Sequence, residues 1–181
     1  AQGAAMVALP FLLNQTLGRD IAEVGMLIAP WPVMGACLAP FSGKWSDRMS
    51  AGWLGVIGLA LLAAGLLCVS WLPAGAPMWA VMMPMALCGT GFGLFLSPNQ
   101  RFIMITVPTH RASVASGLSG LARLLGQTMG AACVAACFTF SPDVGATWAL
   151  RAAVAFALAG SMASGMLELI TRHARHALAA S

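Results

Sequence analysis

Residues 52–72 read GWLGVIGLALLAAGLLCVSWL, an uncharged stretch dominated by apolar side chains. Because an α-helix rises 1.5 Å per residue, about 20 such residues cross the roughly 30 Å hydrocarbon core of a bilayer. Comparable apolar stretches recur at 1–17, 22–43, 77–98, 113–139 and 147–170, and only the first is short for a full crossing. The pattern predicts an all-α integral membrane protein with six transmembrane helices.

The composition points to the same class. Hydrophobic residues make up 60% of the chain and charged residues only 8%, against about 25% charged in a soluble domain. A secretory signal peptide has one apolar region of roughly 7 to 15 residues, whereas here the pattern recurs to the C-terminus. The chain begins at Ala1 and no loop precedes its first apolar stretch, so we expect further sequence upstream.

The basic residues fall mostly into alternate loops. The loops after the second, fourth and sixth stretches carry Lys44, Arg48, Arg101, Arg111, Arg172 and Arg175, whereas the opposite side has only Arg19 and Arg151. Since cytoplasmic loops retain Lys and Arg, the first side is predicted to be cytoplasmic, as are both ends of this segment. The net charge of +4 reflects this loop bias and does not indicate nucleic-acid binding.

Polar residues inside the spans are few, and Arg123 is the deepest charge. It lies about ten residues into the fifth helix, roughly 15 Å from the cytoplasmic end, where an unpaired cation costs about 2.5 kcal/mol or more. Gln127 follows at i+4, so the two side chains could line a cavity. Alternatively, Arg123 binds backbone carbonyls or snorkels to the surface. Trp31 is predicted to lie near the bilayer centre.

Prolines and glycines interrupt the spans and suggest helices that bend around a cavity. Gly89 with Gly93, and Gly126 with Gly130, have the small-xxx-small spacing that allows close helix packing. Asn99 follows Pro98 where the fourth helix is predicted to close. There it either lines the inner mouth of a pathway or caps the helix at the interface.

The chemistry of an enzyme or a metal site is not indicated. No Asp, Glu or His lies deep in a span, and all five cysteines fall in apolar stretches. Cys133 and Cys137 share a helix face, but no His or carboxylate is close in sequence, and buried cysteines usually behave as small hydrophobes. We therefore expect a protein without a catalytic site, a metal or a cofactor.

A resemblance to a known family appears in the loop after the second span. Residues 43–48, GKWSDR, resemble the Gly-x-x-x-Asp-Arg signature that transporters of the major facilitator superfamily carry in a cytoplasmic loop. The later segments GFGLF at 91–95, SPNQ at 97–100, ASG at 115–117 and ARLLGQT at 122–128 are similar to the C-terminal half of the fourteen-helix drug/proton antiporters. Together these motifs cover essentially the whole chain.

The resemblance implies the C-terminal six-helix bundle of a two-bundle transporter, with an inverted repeat of three plus three helices. The first, second, fourth and fifth helices would then face the substrate cavity. The cavity residues would be Arg123, Gln127, Trp31, Phe92, Phe95 and Asn99. Gly43, Asp47 and Arg48 would form a conformational latch, although Ser50 and Gly52 replace the later glycine and basic residue of the signature.

The function implied is proton-coupled efflux of drugs or other amphipathic small molecules from a bacterium, through its inner membrane. The proton gradient would be the energy source, and the coupling carboxylate would lie in the N-terminal bundle, since these spans contain none. The expected partners are that bundle, membrane lipid and the small-molecule substrate. A metabolite uniporter or symporter of the same superfamily, and a non-transporting scaffold or sensor, are the alternatives.

Overall fold

The computed structural model describes residues 2–16, 20–45, 49–73, 75–140 and 145–179, and within these ranges the chain is helical with no strand. The helices are α1 (Gln2–Phe11), α2 (Ile21–Ile28), α3 (Pro30–Trp45), α4 (Ala51–Ser70), α5 (Met78–Thr106), α6 (Ala112–Phe140) and α7 (Gly145–Ala179). Counting α2 and α3 as one span, five helices are long and apolar enough to cross a membrane, and a shorter apolar helix covers Gln2–Asn14. The predicted all-α membrane class is confirmed.

Proline explains where the second span is interrupted. The break falls at Ala29, directly before Pro30 and Pro32, which have no backbone N–H to continue the helical hydrogen bonds. The Ala29 N–H still donates to the Gly25 carbonyl at 3.1 Å, and the Val33 N–H donates to the Ala29 carbonyl at 3.3 Å. The two helices therefore form one interrupted membrane span.

Two predicted helix ends are wrong, since α7 also continues past residue 170, to Ala179. The fourth span was expected to close after Pro98, but α5 continues to Thr106, so Asn99 lies inside a helix and does not cap its end. The three polar residues that follow Pro98 are succeeded by the apolar residues 102–105, which continue the helix to Thr106. Pro98 removes one hydrogen-bond donor without ending the helix.

Helices α3 and α5 run in the same direction with their backbones in contact. A Cβ atom at Gly89 would lie 3.0 Å from the Cα of Trp31, and one at Gly93 would lie 3.0 Å from the Gly35 carbonyl oxygen. The second contact lies four residues further along both helices than the first, so α3 and α5 are parallel. Glycine at both positions permits this close approach.

Helices α1 and α6 form a second parallel pair. A Cβ atom at Gly3 would lie 2.6 Å from the Cα of Gln127, and one at Gly130 would lie 2.7 Å from the backbone nitrogen of Ala4. Further along, the rings of Phe11 and Phe138 pack with centroids 5.1 Å apart.

Helix α4 packs against both α5 and α7, antiparallel to each. A Cβ atom at Gly58 would lie 2.5 Å from the Gly91 carbonyl oxygen. On the other side of α4, the Ser161 hydroxyl donates to the Val56 carbonyl at 3.1 Å. Half of the α4 span is buried, the largest share of any span.

These pairings repeat within the chain. The contact of α3 with α5 corresponds to that of α6 with α1, and the contact of α4 with α5 corresponds to that of α7 with α1. The contact between α4 and α7 joins the two halves. Three spans followed by three equivalent spans are what the inverted repeat requires.

Candidate functional site

One face of α6 carries the polar residues of that span. Ser116, Gly120, Arg123 and Gln127 are spaced at i, i+4, i+7 and i+11, which places them on a single helix face. The same face continues to Gly130, where α6 contacts α1. From Ser116 to Arg123 it is open: both of these residues are exposed, and no atom lies within 4 Å of the Cβ position of Gly120.

Arg123 is the central residue of this open polar face. It lies eleven residues after Ala112, so it is about 16 Å from the start of α6. Its side chain has no hydrogen-bond or salt-bridge partner in the part of the chain that the structure describes. Because an isolated cation at such a depth is costly in hydrocarbon, the guanidinium requires water or an acceptor from outside the described bundle.

The opposite face of α6 is apolar. Its members are Val114, Leu118, Leu121, Leu125 and Met129, all of which are exposed. Their spacing of i, i+4, i+7, i+11 and i+15 keeps them on one side of the helix, away from Arg123. Helix α6 therefore has one face suited to contact with lipid or another apolar surface, and an opposite face suited to contact with water.

A hydrogen bond ties the polar face to α5. The Ser119 hydroxyl donates to the Gln100 side-chain oxygen at 3.0 Å, one turn before Arg123. Ser119, Ser116 and Gly120 were not among the predicted site residues, although Ser116 lies in the ASG segment at 115–117. Their positions at i−4, i−7 and i−3 from Arg123 are the signal that could have identified all three.

Trp31 lies in the core of the bundle. Only 1% of its surface is exposed, and it belongs to the cluster of buried core residues. In this bundle it therefore presents no open surface to a ligand. Its indole nitrogen is buried and has no hydrogen-bond partner among the described residues.

The unpaired indole N–H leads to a prediction about stability. A buried donor without an acceptor costs about 1–3 kcal/mol, which offsets the packing lost when the indole becomes a smaller ring. We expect Trp31→Phe in the full-length protein to melt close to wild type, whereas Trp31→Ala loses about 3–5 kcal/mol. Thermal unfolding of the purified variants measures both. A phenylalanine variant as unstable as the alanine variant would show that the N–H has an acceptor.

The predicted aromatic residues lie on α5, away from the polar face of α6. Phe95 packs toward α4, where a Cβ atom at Gly58 would lie 3.2 Å from the Phe95 Cβ. Phe95 and Asn99 line a cleft formed by α4, α5 and α7, which includes no described residue of α6. Phe92 is half-buried. The six predicted cavity residues therefore do not form one site: Arg123 and Gln127 share the polar face of α6, Phe95 and Asn99 share the cleft, and Trp31 lies in the core.

The predicted latch and packing residues have mixed placements. Asp47 and Arg48 lie outside the described residues, and Gly43 is in the last turn of α3. Gly89, Gly93 and Gly130 are at the helix contacts described above. Gly126 is exposed, and among the described residues nothing lies within 4 Å of its missing Cβ. Within the described ranges, no group of three His, Cys, Asp or Glu side chains could hold a metal ion.

Comparison with known proteins identifies the family. The model of the Major Facilitator Superfamily matches residues 1–131. The chain is 45% identical over 166 residues to the uncharacterized transporter YebQ of Escherichia coli K12, covering 92% of this chain and 36% of that protein. It is also 30% identical over 128 residues to the multidrug resistance protein Stp of Mycobacterium tuberculosis, covering 71% of this chain and 24% of that protein.

A more distant relative is similar over a comparable region. The tetracycline resistance determinant of Streptomyces rimosus is 27% identical over 130 residues, which cover 70% of this chain and 37% of that protein. The chain thus spans little more than a third of these relatives at most. The family model covers well over half of the chain, and the helix pairing shows the internal repeat. The chain belongs to the major facilitator superfamily.

Proposed function

We propose that the full-length protein exports amphipathic small molecules across a bacterial inner membrane by proton-coupled alternating access. The observation that carries this proposal is the open polar face of α6, with Arg123 at its centre. The relatives support the substrate class: Stp is named for multidrug resistance, and another relative is the tetracenomycin C resistance and export protein of Streptomyces glaucescens.

The open polar face fits one half of a two-bundle transporter. In alternating access, the two bundles rock around a shared pathway, so each must present polar residues to the space between them. Helix α6 presents such a face, and only 11% of its span is buried within this bundle. In the proposal, the N-terminal bundle lies across the pathway from this face.

Arg123 has two possible partners in this arrangement. It either compensates a carboxylate of the N-terminal bundle or binds an anionic group of the substrate, and each would stabilise the cation at that depth. The coupling proton requires a titratable group in the pathway. All five acidic residues of this chain lie in loops or near span ends, so the proposal places the coupling carboxylate in the N-terminal bundle.

The orientation follows from the loop charges. Lys44 is in the last turn of α3, Arg101 is five residues before the end of α5, and Arg111 directly precedes α6. We call this end of the bundle the basic end. The positive-inside rule places the basic end in the cytoplasm. Substrates would then leave through the opposite end.

Flux measurements in proteoliposomes test the proposal. We expect the purified full-length protein in inside-out vesicles to accumulate a fluorescent lipophilic cation or tetracycline when the lumen is acidic, and a protonophore to abolish the uptake. Uptake that is indifferent to the pH gradient would indicate a uniporter and contradict proton coupling. Absence of flux for every compound of a broad panel would favour a scaffold or sensor.

A further inference from the structure

We propose that Cys133 and Cys137 of α6 form a dithiol site that binds a trivalent organoarsenical at the end of the bundle opposite the basic end. Cys137 is three residues before the end of α6 at Phe140, so it lies about 5 Å from that end along the helix axis. Cys133 is one helical turn deeper. The proposed transport function does not depend on this site.

The spacing of the pair brings the two thiols together. Residues at i and i+4 of a helix lie on one face, with about 5–6 Å between their Cβ atoms. The Cys137 side chain interacts with that of Cys133, so the two thiols approach each other across one helical turn. A compound that bonds two sulfur atoms at once can therefore engage both residues.

Both thiols can be reached from outside the bundle, since each cysteine is partly exposed. On one side of the pair, Val134 is buried in the core. On the other side, Ala132 and Ala136 are exposed, and their methyl groups are too small to cover the sulfur atoms. The pair thus lies at the boundary between the packed and the open surface of α6.

A direct disulfide between Cys133 and Cys137 does not fit this spacing. A disulfide requires Cβ atoms about 3.5–4.5 Å apart, which is less than the distance of about 5–6 Å between adjacent turns of a helix. Both cysteines are free in the structure. One additional atom between the two sulfur atoms lengthens the bridge, so it spans this gap without distorting α6.

The number of donors determines which bridging atom the site takes. A structural zinc ion requires four ligands, whereas among the residues that the structure describes no three His, Cys, Asp or Glu side chains are grouped to hold a metal. Trivalent arsenic with one organic group makes two further bonds, and two thiols complete them. Its bonds are pyramidal, so its two sulfur atoms lie side by side. A linear two-coordinate metal would hold them farther apart, on opposite sides.

The neighbouring side chains favour an aryl group on the arsenic. Phe140 is 87% exposed at this end of α6. The ring of Phe11, which is also exposed, packs against that of Phe138 with 5.1 Å between centroids. An apolar ring would remain among these aromatic side chains while the arsenic atom reaches the thiols. Phenylarsine oxide is therefore the appropriate probe.

The expected reaction is a condensation in which no electrons are transferred. Two S–H bonds and the bond between arsenic and oxygen break, two As–S bonds form, and the oxygen leaves as water with both thiol protons. The arsenic stays trivalent. An excess of monothiol should not displace it, because after one As–S bond breaks the other holds the arsenic beside the free thiol. A small dithiol such as dimercaptopropanol should remove it.

Arsenic retention by the full-length protein tests the proposal. Membranes that contain the protein are treated with phenylarsine oxide, and excess mercaptoethanol then removes arsenic bound through a single sulfur. Elemental analysis of the purified protein measures the arsenic that remains. We expect wild type to retain one equivalent more than Cys133→Ala or Cys137→Ala. Site-resolved mass spectrometry of wild type should find this arsenic on the α6 segment that contains both cysteines.

Two control variants separate the paired site from single thiols. Cys37 is exposed on α3, and we expect Cys37→Ala to retain arsenic as wild type does. Adding Ala135→Cys to Cys137→Ala restores the number of thiols on α6, but residues at i and i+2 do not face each other, so retention should stay at the lower level. Equal retention by wild type and both single alanine variants would overturn the proposal. Full retention by the shifted pair, or no arsenic on the α6 segment of wild type, would also overturn it.

Discussion

Replacing Arg123 with alanine is expected to abolish export by the full-length protein while leaving its abundance in the membrane unchanged. Within this bundle the side chain is exposed and makes no contact that the variant would lose. Its removal should therefore cost little folding stability here. Its charge is the deepest of this half, and under the proposed function its loss leaves the N-terminal carboxylate or the anionic substrate group without a counter-charge. Drug accumulation in cells, with immunoblotting of membranes, measures both quantities.

Two variants serve as controls for the arginine. Arg123→Lys keeps the charge but not the bidentate geometry, and we expect it to retain part of the export activity. Arg151→Ala removes an exposed arginine at the opposite end, and we expect it to export as wild type does. Wild-type export by the Arg123→Ala protein would remove Arg123 from the pathway.

A leucine at Gly89 is expected to cause the largest loss of stability. Its Cβ would lie 2.9 Å from the carbonyl carbon of Trp31 and 3.0 Å from its Cα, both of them backbone atoms. Backbone cannot move aside as a flexible side chain can, so α3 and α5 would have to separate. We expect a loss of about 3 kcal/mol or more, which corresponds to roughly 10 °C in Tm.

Gly25→Leu is the matched control for this substitution. Gly25 is in α2, is exposed and has open space at its Cβ position. We expect the control to melt at or above the wild-type temperature, since leucine favours a helix over glycine by roughly 0.5–1 kcal/mol. Equal melting temperatures for the two leucine variants would contradict the close contact between α3 and α5.

The spans could be predicted from sequence because each is a long apolar run. The predicted stretch 52–72 corresponds to Ala51–Ser70, and 113–139 corresponds to Ala112–Phe140. The end of α5 could not be placed, because hydropathy marks where the hydrocarbon ends and not where the helix ends. The polar residues Asn99, Gln100 and Arg101 suggested an end, but the helix continues through the apolar residues 102–105 to Thr106.

The sequence did not predict which helices contact each other. Spacing alone identified Gly89 and Gly130 as packing positions, but not their partners Trp31 and Ala4 on other helices. For the same reason the sequence predicted a membrane depth for Trp31 but not its place in the core, because depth says nothing about which neighbour covers a residue. Arg123 could be identified from sequence because a charge in an apolar span is conspicuous by itself.

Accessibility of the α6 polar face to water tests the central claim most directly. Ser116 and Leu118 lie on opposite faces of α6 at nearly the same depth, and both are exposed in this bundle. Each is changed to cysteine in the full-length protein. Inside-out vesicles are then treated with a membrane-impermeant maleimide, and site-resolved mass spectrometry separates these thiols from the native cysteines.

Ser116→Cys is predicted to react several-fold faster than Leu118→Cys, because the polar face lines an aqueous pathway and the apolar face contacts hydrocarbon or protein. Saturating substrate should slow the reaction at Ser116→Cys and leave Leu118→Cys unchanged. Equal protection of the two cysteines would contradict the account, since the face around Arg123 would then be closed to water.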